Sequence, residues 1–281
     1  MERETPQATS VRPPVTVPDT SAAGSAVTAL AGRARRLRTP YGLISILCGL
    51  LLWEVLVRVF EPSDLIIVAP TAIVRTLTSM FTSGSIWPDL TISMQGFAAG
   101  YVLAAIIAIP LGLAIGASRM LYKWANPWVN ALYSTPIIGL APLFIIIFGF
   151  DLQSKIAVVF ALVVFPILIN TVSGARAVST DHKELAIVFG ASRMETFRKV
   201  LLPGALPFIL TGLRLAIGRG LIGVVVADLF GASAGLGLNL LQSAQSFNTP
   251  KIFAVTLLLA FLGIAFTAVI EFFERRAYRR L

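Results

Sequence analysis

Apolar residues in this chain gather into six long stretches, 41–60, 90–117, 127–150, 156–175, 206–230 and 252–273, separated by shorter polar segments. A hydrocarbon layer about 30 Å thick takes roughly 20 helical residues to cross, so each stretch predicts a membrane-spanning helix. The fold class that follows is all-α, a polytopic transmembrane helical bundle of six spans. Pro136 and Pro142 interrupt the third stretch, and kinks are expected there and at Pro110 and Pro166. In the second stretch Gly96 with Gly100, and Gly112 with Gly116, recur at four-residue spacing, which lets another helix approach closely.

The same pattern divides the chain. Residues 1–40 read as a flexible basic tail, rich in Pro, Ser, Thr and Ala and ending in Arg33, Arg35, Arg36 and Arg38. A signal peptide is a poor reading, because the stretch 41–60 behind it is of spanning length with no small-residue cleavage site. After that first span come an extracytoplasmic loop over 61–89 and a core over 90–273 that holds five spans and the polar loop 176–204. Residues 274–281 form a second basic tail.

Composition agrees with a membrane protein: 56% of residues are hydrophobic and only 13% charged, against about 25% charged in soluble domains. A soluble enzyme and a disordered chain are both excluded. The formal charge of +9 would suggest nucleic acid on a soluble surface, but its placement says otherwise. With the amino terminus inside, seventeen of the 23 Lys and Arg residues fall on the cytoplasmic side. Arg75, Lys155 and Lys251 fall outside, and Arg58, Arg214 and Arg219 within spans. That asymmetry predicts both termini in the cytoplasm and no nucleic-acid partner.

The inside loop between the fourth and fifth spans is itself patterned. Asp181 with Glu184, and Ser192 with Glu195, have the spacing of capping boxes, which predicts two short helices. Gly190 sits where the first should stop, and Pro203 where the second should end. Met194, Phe197 and Leu201 share one face of the second helix, with Arg193, Arg198 and Lys199 on the others. Such an amphipathic pair either lies at the membrane interface or docks into a groove on another protein.

The run Glu184-x-Ala186-x3-Gly190-x9-Val200-x-Leu202-Pro203 resembles the EAA loop of ABC importer permeases, with Leu185 in place of the second Ala and Val200 in place of Ile. The remainder, over 69–274, is similar to the branch that serves nitrate, sulfonates and taurine. It carries Ala69-Pro70-Thr71, Ser154-Lys155-Ile156, Phe165-Pro166-Ile167 with Asn170-Thr171, Thr211-Gly212-Leu213-Arg214 and Gly235-Leu236-Gly237 in order. Asp228 stands where relatives usually have Glu. The resemblance implies the ABC type-1 permease fold in a bacterial-type inner membrane. It implies import of a small, anionic solute, received from an extracytoplasmic solute-binding protein and driven by ATP-binding cassette subunits, with a second copy of the chain as the other half of the path. It further implies that Glu184, Ala186, Gly190, Met194, Phe197, Leu202 and Pro203 couple the chain to the ATP-binding subunit.

No GxxxxGK[ST] phosphate loop occurs, so this chain is not expected to be an enzyme; ATP would be bound by a partner, with no cofactor here. The sequence offers no catalytic set and no metal-ligand cluster: His182 is the only histidine and belongs among surface charges, and Cys48, the only cysteine, lies in an apolar run. Glu54 and Arg58, four apart, are spaced to neutralise each other. Arg214 and Arg219 bracket the middle of the fifth span, roughly 12 and 20 Å from Leu206 at 1.5 Å per residue. Neither can reach Asp228 along one helix. Arg214 either pairs with backbone or an inner gate or joins the path; Arg219 either packs or lines the path; Asp228 is the third candidate. The alternatives to an ATP-driven importer are an ion-coupled secondary carrier and an integral membrane enzyme.

Overall fold

The computed structural model describes residues 38–278 except 64, 151, 180–183, 187 and 232. The chain divides into two compact units, Met1–Leu56 and Val57–Leu281. Helix α1, Arg38–Phe60, starts in the first and contains Glu54 and Arg58. The second holds α2 (Pro70–Thr82), α3 (Trp87–Ala117), α4 (Arg119–Ser134), α5 (Ala141–Phe148) and α6 (Leu152–Ala177). Beyond the polar loop follow α7 (Arg193–Thr196), a π turn over Phe197–Leu201, α8 (Leu202–Gly231), α9 (Leu236–Gln245) and α10 (Thr249–Tyr278). All regular elements among the described residues are helical.

Four helical segments are long and apolar enough to cross a membrane: α3, α6, the run Arg193–Phe230 and α10. A fifth candidate is broken. Helix α4 and the segment Ile137–Phe148 meet at 75°, where the sequence predicts a kink at Pro136. Proline disfavours helical backbone in the residue before it, and Thr135 is accordingly extended, with ψ at 135°. Pro142 sits in the first turn of α5, where its missing N–H costs nothing. Pro110 and Pro166, by contrast, lie inside unbroken helices.

Helix α6 is the axis of the second unit, with α3 against one side and α8 against another. The core joins Phe97, Ala104, Ala108 and Ile115 of α3 to Val159, Val163, Ile167 and Val172 of α6 and to Ala216, Ile217 and Val224 of α8. The glycine pairs of the second stretch prove to be the ends of a longer stripe. Gly96, Gly100, Ala104, Ala108, Gly112 and Gly116 recur every four residues and are all buried. A Cβ on Gly100 would stand 2.8 Å from the Ile156 carbonyl oxygen, and one on Gly116 would stand 2.5 Å from the Ala175 Cβ. Lipid chains are as apolar as leucine, so association in a bilayer depends on such close approach and its dispersion contacts. Gly116→Ala is expected to lower the thermal unfolding midpoint in detergent, whereas Gly49→Ala, with open space around its Cβ, leaves it unchanged. Equal midpoints would mean that the stripe adds nothing to packing.

Two connections contain helices that hydrophobic length does not reveal. Helix α2 lies in 61–89, opens on Pro70 at its first turn and buries Ile73 and Met80. It packs on α10, as does α9 from the connection after α8. Thr249 at the start of α10 donates to the Leu65 carbonyl at 3.0 Å, tying that connection down.

Candidate functional site

The polar loop is built as its glycine requires. Residues 184–186 and 188 are helical, and Phe189 N–H still bonds to the Leu185 carbonyl at 3.0 Å. Gly190 then takes φ +80°, and the Ala191 N–H reaches back to the Ala186 carbonyl at 2.9 Å. That five-residue return bond around a left-handed residue closes a helix cheaply, and glycine is the residue that adopts the conformation without strain. Of the two expected capping boxes, Ser192 with Glu195 is complete: the Ser192 hydroxyl accepts from the Glu195 N–H and the Glu195 carboxylate accepts from the Ser192 N–H. Lys199 adds an ion pair to Glu195 at 3.1 Å. Asp181 and His182 lie outside the described residues.

Pro203 does not end the second helix. From Arg193 the helix runs through the π turn directly into α8, and Pro203 sits near the start of that long segment. The Leu202 N–H bonds five residues back to the Phe197 carbonyl. A proline ring collides with the carbonyl four residues before it, here that of Lys199, and the wider π turn opens the helix at that point. Leu202 and Phe197 are half-buried against Leu201, Ala205 and Leu113, so both hold the loop to the bundle.

Glu184, Gly190 and Met194 are exposed and Ala186 is half-buried. Among the described residues, the most open apolar side chains of the loop are ones that the periodicity did not single out: Val188 is 80% and Phe189 81% exposed. They fill the gap between Ala186 and Gly190, so the motif spacing was their one signal. Together with Leu185 and Met194 they form an apolar tip, the kind of surface that marks an interaction site. Behind it a cavity of 630 Å³ is lined by Val178, Leu185, Phe189, Val200 and Phe208.

Elsewhere in the unit lies a buried charged cluster. Lys155, which the charge count placed in an outside loop, is instead within the first turn of α6 and 3% exposed. Its ammonium stands 2.7 Å from the Asp228 carboxylate and donates to the Ala234 carbonyl at 2.7 Å. Asp228 also accepts from the Ser93 hydroxyl at 2.7 Å and the Gly237 N–H at 3.1 Å. Ser93 in turn accepts from the Leu236 N–H, and Asp89 from the Gly235 N–H and the Asn239 amide. The motif Gly235-Leu236-Gly237 is now physical: a Cβ on Gly235 would be 2.3 Å from an Asp228 oxygen, and one on Gly237 would be 2.4 Å from the Val225 carbonyl. The cluster joins the start of α3, the start of α6, the end of α8 and the start of α9. In this chain Asp228 is enclosed by that cluster and makes no contact with Arg214 or Arg219.

Arg214 is ion-paired with Glu274 of α10, a residue that the sequence pattern assigned to the tail. Arg219 lies exposed on α8, donates to the Tyr133 hydroxyl at 2.7 Å and stands 5.0 Å from that ring's centre. Among the described residues it has no carboxylate partner. The three candidates therefore occupy three separate places: Asp228 in the cluster, Arg214 between α8 and α10, and Arg219 on an open face beside the bend between α4 and α5.

Comparison with known proteins bears on this arrangement. The family model described as binding-protein-dependent transport system inner membrane component matches residues 100–281. SsuC of Bacillus subtilis (strain 168), a permease named for aliphatic sulfonates transport, is 33% identical over 225 residues, 80% of this chain and 82% of its own. The nitrate import permease NrtB of Leptolyngbya laminosa is 30% identical over 193 residues, 69% of each chain. Among solved structures, the inward-facing MetNI methionine ABC transporter shares the fold at a TM-score of 0.57 and 22% identity, over 69% of this chain and 98% of that one.

Proposed function

The chain belongs to the inner membrane components of binding-protein-dependent transport systems, the multi-pass permeases of ABC importers, and on that premise we propose how its parts divide the work. Its cargo is a small anion such as a sulfonate, taurine or nitrate. ATP-binding cassette subunits seat the loop tip, with Glu184, Ala186, Gly190 and Met194 at the contact and Phe197, Leu202 and Pro203 passing its movement into α8. The carrying observation is the tip itself: Val188 and Phe189 stand open to solvent at the end of a turn fixed by Gly190. Two copies of the chain enclose the path, and an extracytoplasmic binding protein delivers the solute at the face away from the loop. Hydrolysis by the partner subunits supplies the energy, and alternating access turns it into inward movement.

Arg219 lines the path in this reading. A guanidinium in the middle of an apolar stretch is retained only if something satisfies it, and Tyr133 takes one of its five N–H donors. A passing anion takes others. In proteoliposomes holding the assembled transporter and the binding protein, ATP-driven uptake of labelled taurine or nitrate is expected to fall about tenfold in Arg219→Gln, a change of about 1.4 kcal/mol in the barrier. Arg219→Lys should recover part of it. Uptake at the wild-type rate in Arg219→Gln would remove Arg219 from the path, and wild-type uptake without ATP would remove the coupling scheme.

A further inference from the structure

Helices α4 and α6 diverge near one end of α3 and leave a cavity of 340 Å³ between them, floored by Ile115. From α4 it receives Tyr122, Asn126 and Asn130, which at intervals of four share one face of that helix. From α6 it receives Ser173 and Arg176, three apart. Five side chains capable of donating hydrogen bonds thus line one space, apart from the buried Lys155–Asp228 cluster. None of them makes a hydrogen bond or ion pair within the chain among the described residues. The Arg176 guanidinium instead lies over the Tyr122 ring, 3.8 Å from its centre. Its place in the last turn of α6 suits the carbonyls there, but the stacking turns it toward α4 and the cavity. A stacked arginine keeps its in-plane N–H groups free, in the fork that fits two oxygens of one anionic group.

We propose that this cavity is an oxyanion-binding site, in which Arg176 takes the charged group and Asn126, Asn130, Tyr122 and Ser173 take its remaining oxygens. Sulfonate, nitrate and phosphate share that chemistry. The site rests on the transport reading above for its small-solute source; an anionic lipid headgroup is the other source. Arg176 lies in the last turn of α6, at the start of the polar loop, so an occupant would sit where α6 leads into the coupling segment.

The test uses the assembled complex in nanodiscs of zwitterionic lipid, without binding protein, and measures equilibrium retention of labelled taurine, nitrate and inorganic phosphate. Wild type is expected to retain at least one of them saturably, Arg176→Gln at least tenfold more weakly, Asn130→Leu severalfold more weakly, and Arg176→Lys in between. If no small anion is retained, but phosphatidylglycerol from anionic nanodiscs copurifies with wild type and is lost in both variants, the site stands and its ligand is a lipid phosphate. No retention of any probe by wild type would overturn the site, as would retention unchanged in both Arg176→Gln and Asn130→Leu. Asn130 is exposed, so its variant reads the site even if Arg176→Gln fails to fold. ATP-driven uptake with no retained oxyanion would overturn this site alone. Arg176-dependent retention without ATP-driven uptake would overturn only the transport reading.

Discussion

Asp228→Asn is expected to lower the stability of the permease by about 3–5 kcal/mol, the cost of breaking a buried ion pair from one side. The pair is 2.7 Å long, with its side chains 4% and 0% exposed, so neither charge recovers water when its partner is removed. Lys155→Met should cost a similar amount, leaving a carboxylate that keeps only the Ser93 and Gly237 donors. The double variant Lys155→Met with Asp228→Leu should regain part of the loss, since replacing both charges removes the uncompensated one. Recovery stays incomplete because the Gly237 N–H then lacks its acceptor. Exchanging the charges, Lys155→Asp with Asp228→Lys, should recover nothing: Gly235 presses against the Asp228 carboxylate and leaves no room for a longer side chain. Thermal unfolding followed by size exclusion in detergent reads all four variants. A midpoint unchanged in both single variants would show that the cluster does not hold α3, α6, α8 and α9 together.

That cluster also shows where the sequence stops being readable. Four of the six expected spans, α3, α6, the run Arg193–Phe230 and α10, announced themselves because crossing a lipid layer demands long apolar runs, and the broken third stretch did so because Pro136 interrupts a straight one. Lys155 gave no such signal. It stands in Gln153-Ser154-Lys155, polar residues at the edge of an apolar run, and a local reading puts such residues in a loop. Its partner lies 73 positions later, so only the packing of α6 against α8 reveals that the ammonium is inside. Arg214 is the same case, with Glu274 sixty positions away. The glycine pairs at 96/100 and 112/116 were legible, but their continuity through Ala104 and Ala108 emerged only when α6 was seen against the whole stripe. Pro203 misled for a different reason. Proline ends or bends a helix through the clash of its ring with the carbonyl four residues back, and at Pro203 the π turn over Phe197–Leu201 opens the helix there and lets it continue.

Gly190→Val is expected to cut ATP-driven uptake about tenfold or more while leaving the amount of inserted, assembled permease unchanged. No atom lies within 4 Å of where a Cβ would be built, so the substitution meets no neighbour. Its whole effect is on the backbone, held at φ +80°. An L residue in the left-handed region costs about 1–2 kcal/mol, and a β-branched one is the least suited to it. At about 1.4 kcal/mol for each factor of ten, that is enough to leave the closed turn a minor conformer. The return bond from Ala191 to Ala186 then opens, and Val188 and Phe189 no longer hold the one position that the proposed docking requires. A graded series separates this cause from any other: Gly190→Asn should be mild, because asparagine tolerates left-handed backbone, Gly190→Ala intermediate, and Gly190→Val severe. Gly190 itself is exposed and a Cβ there meets nothing within 4 Å, so the unfolding midpoint should not follow the series. If uptake were equal in all three variants, the left-handed turn would not be the element that couples this chain to its ATP-binding partner. If the midpoint fell in step with uptake, the effect would be one of folding, and the apolar tip would lose its claim to the docking role.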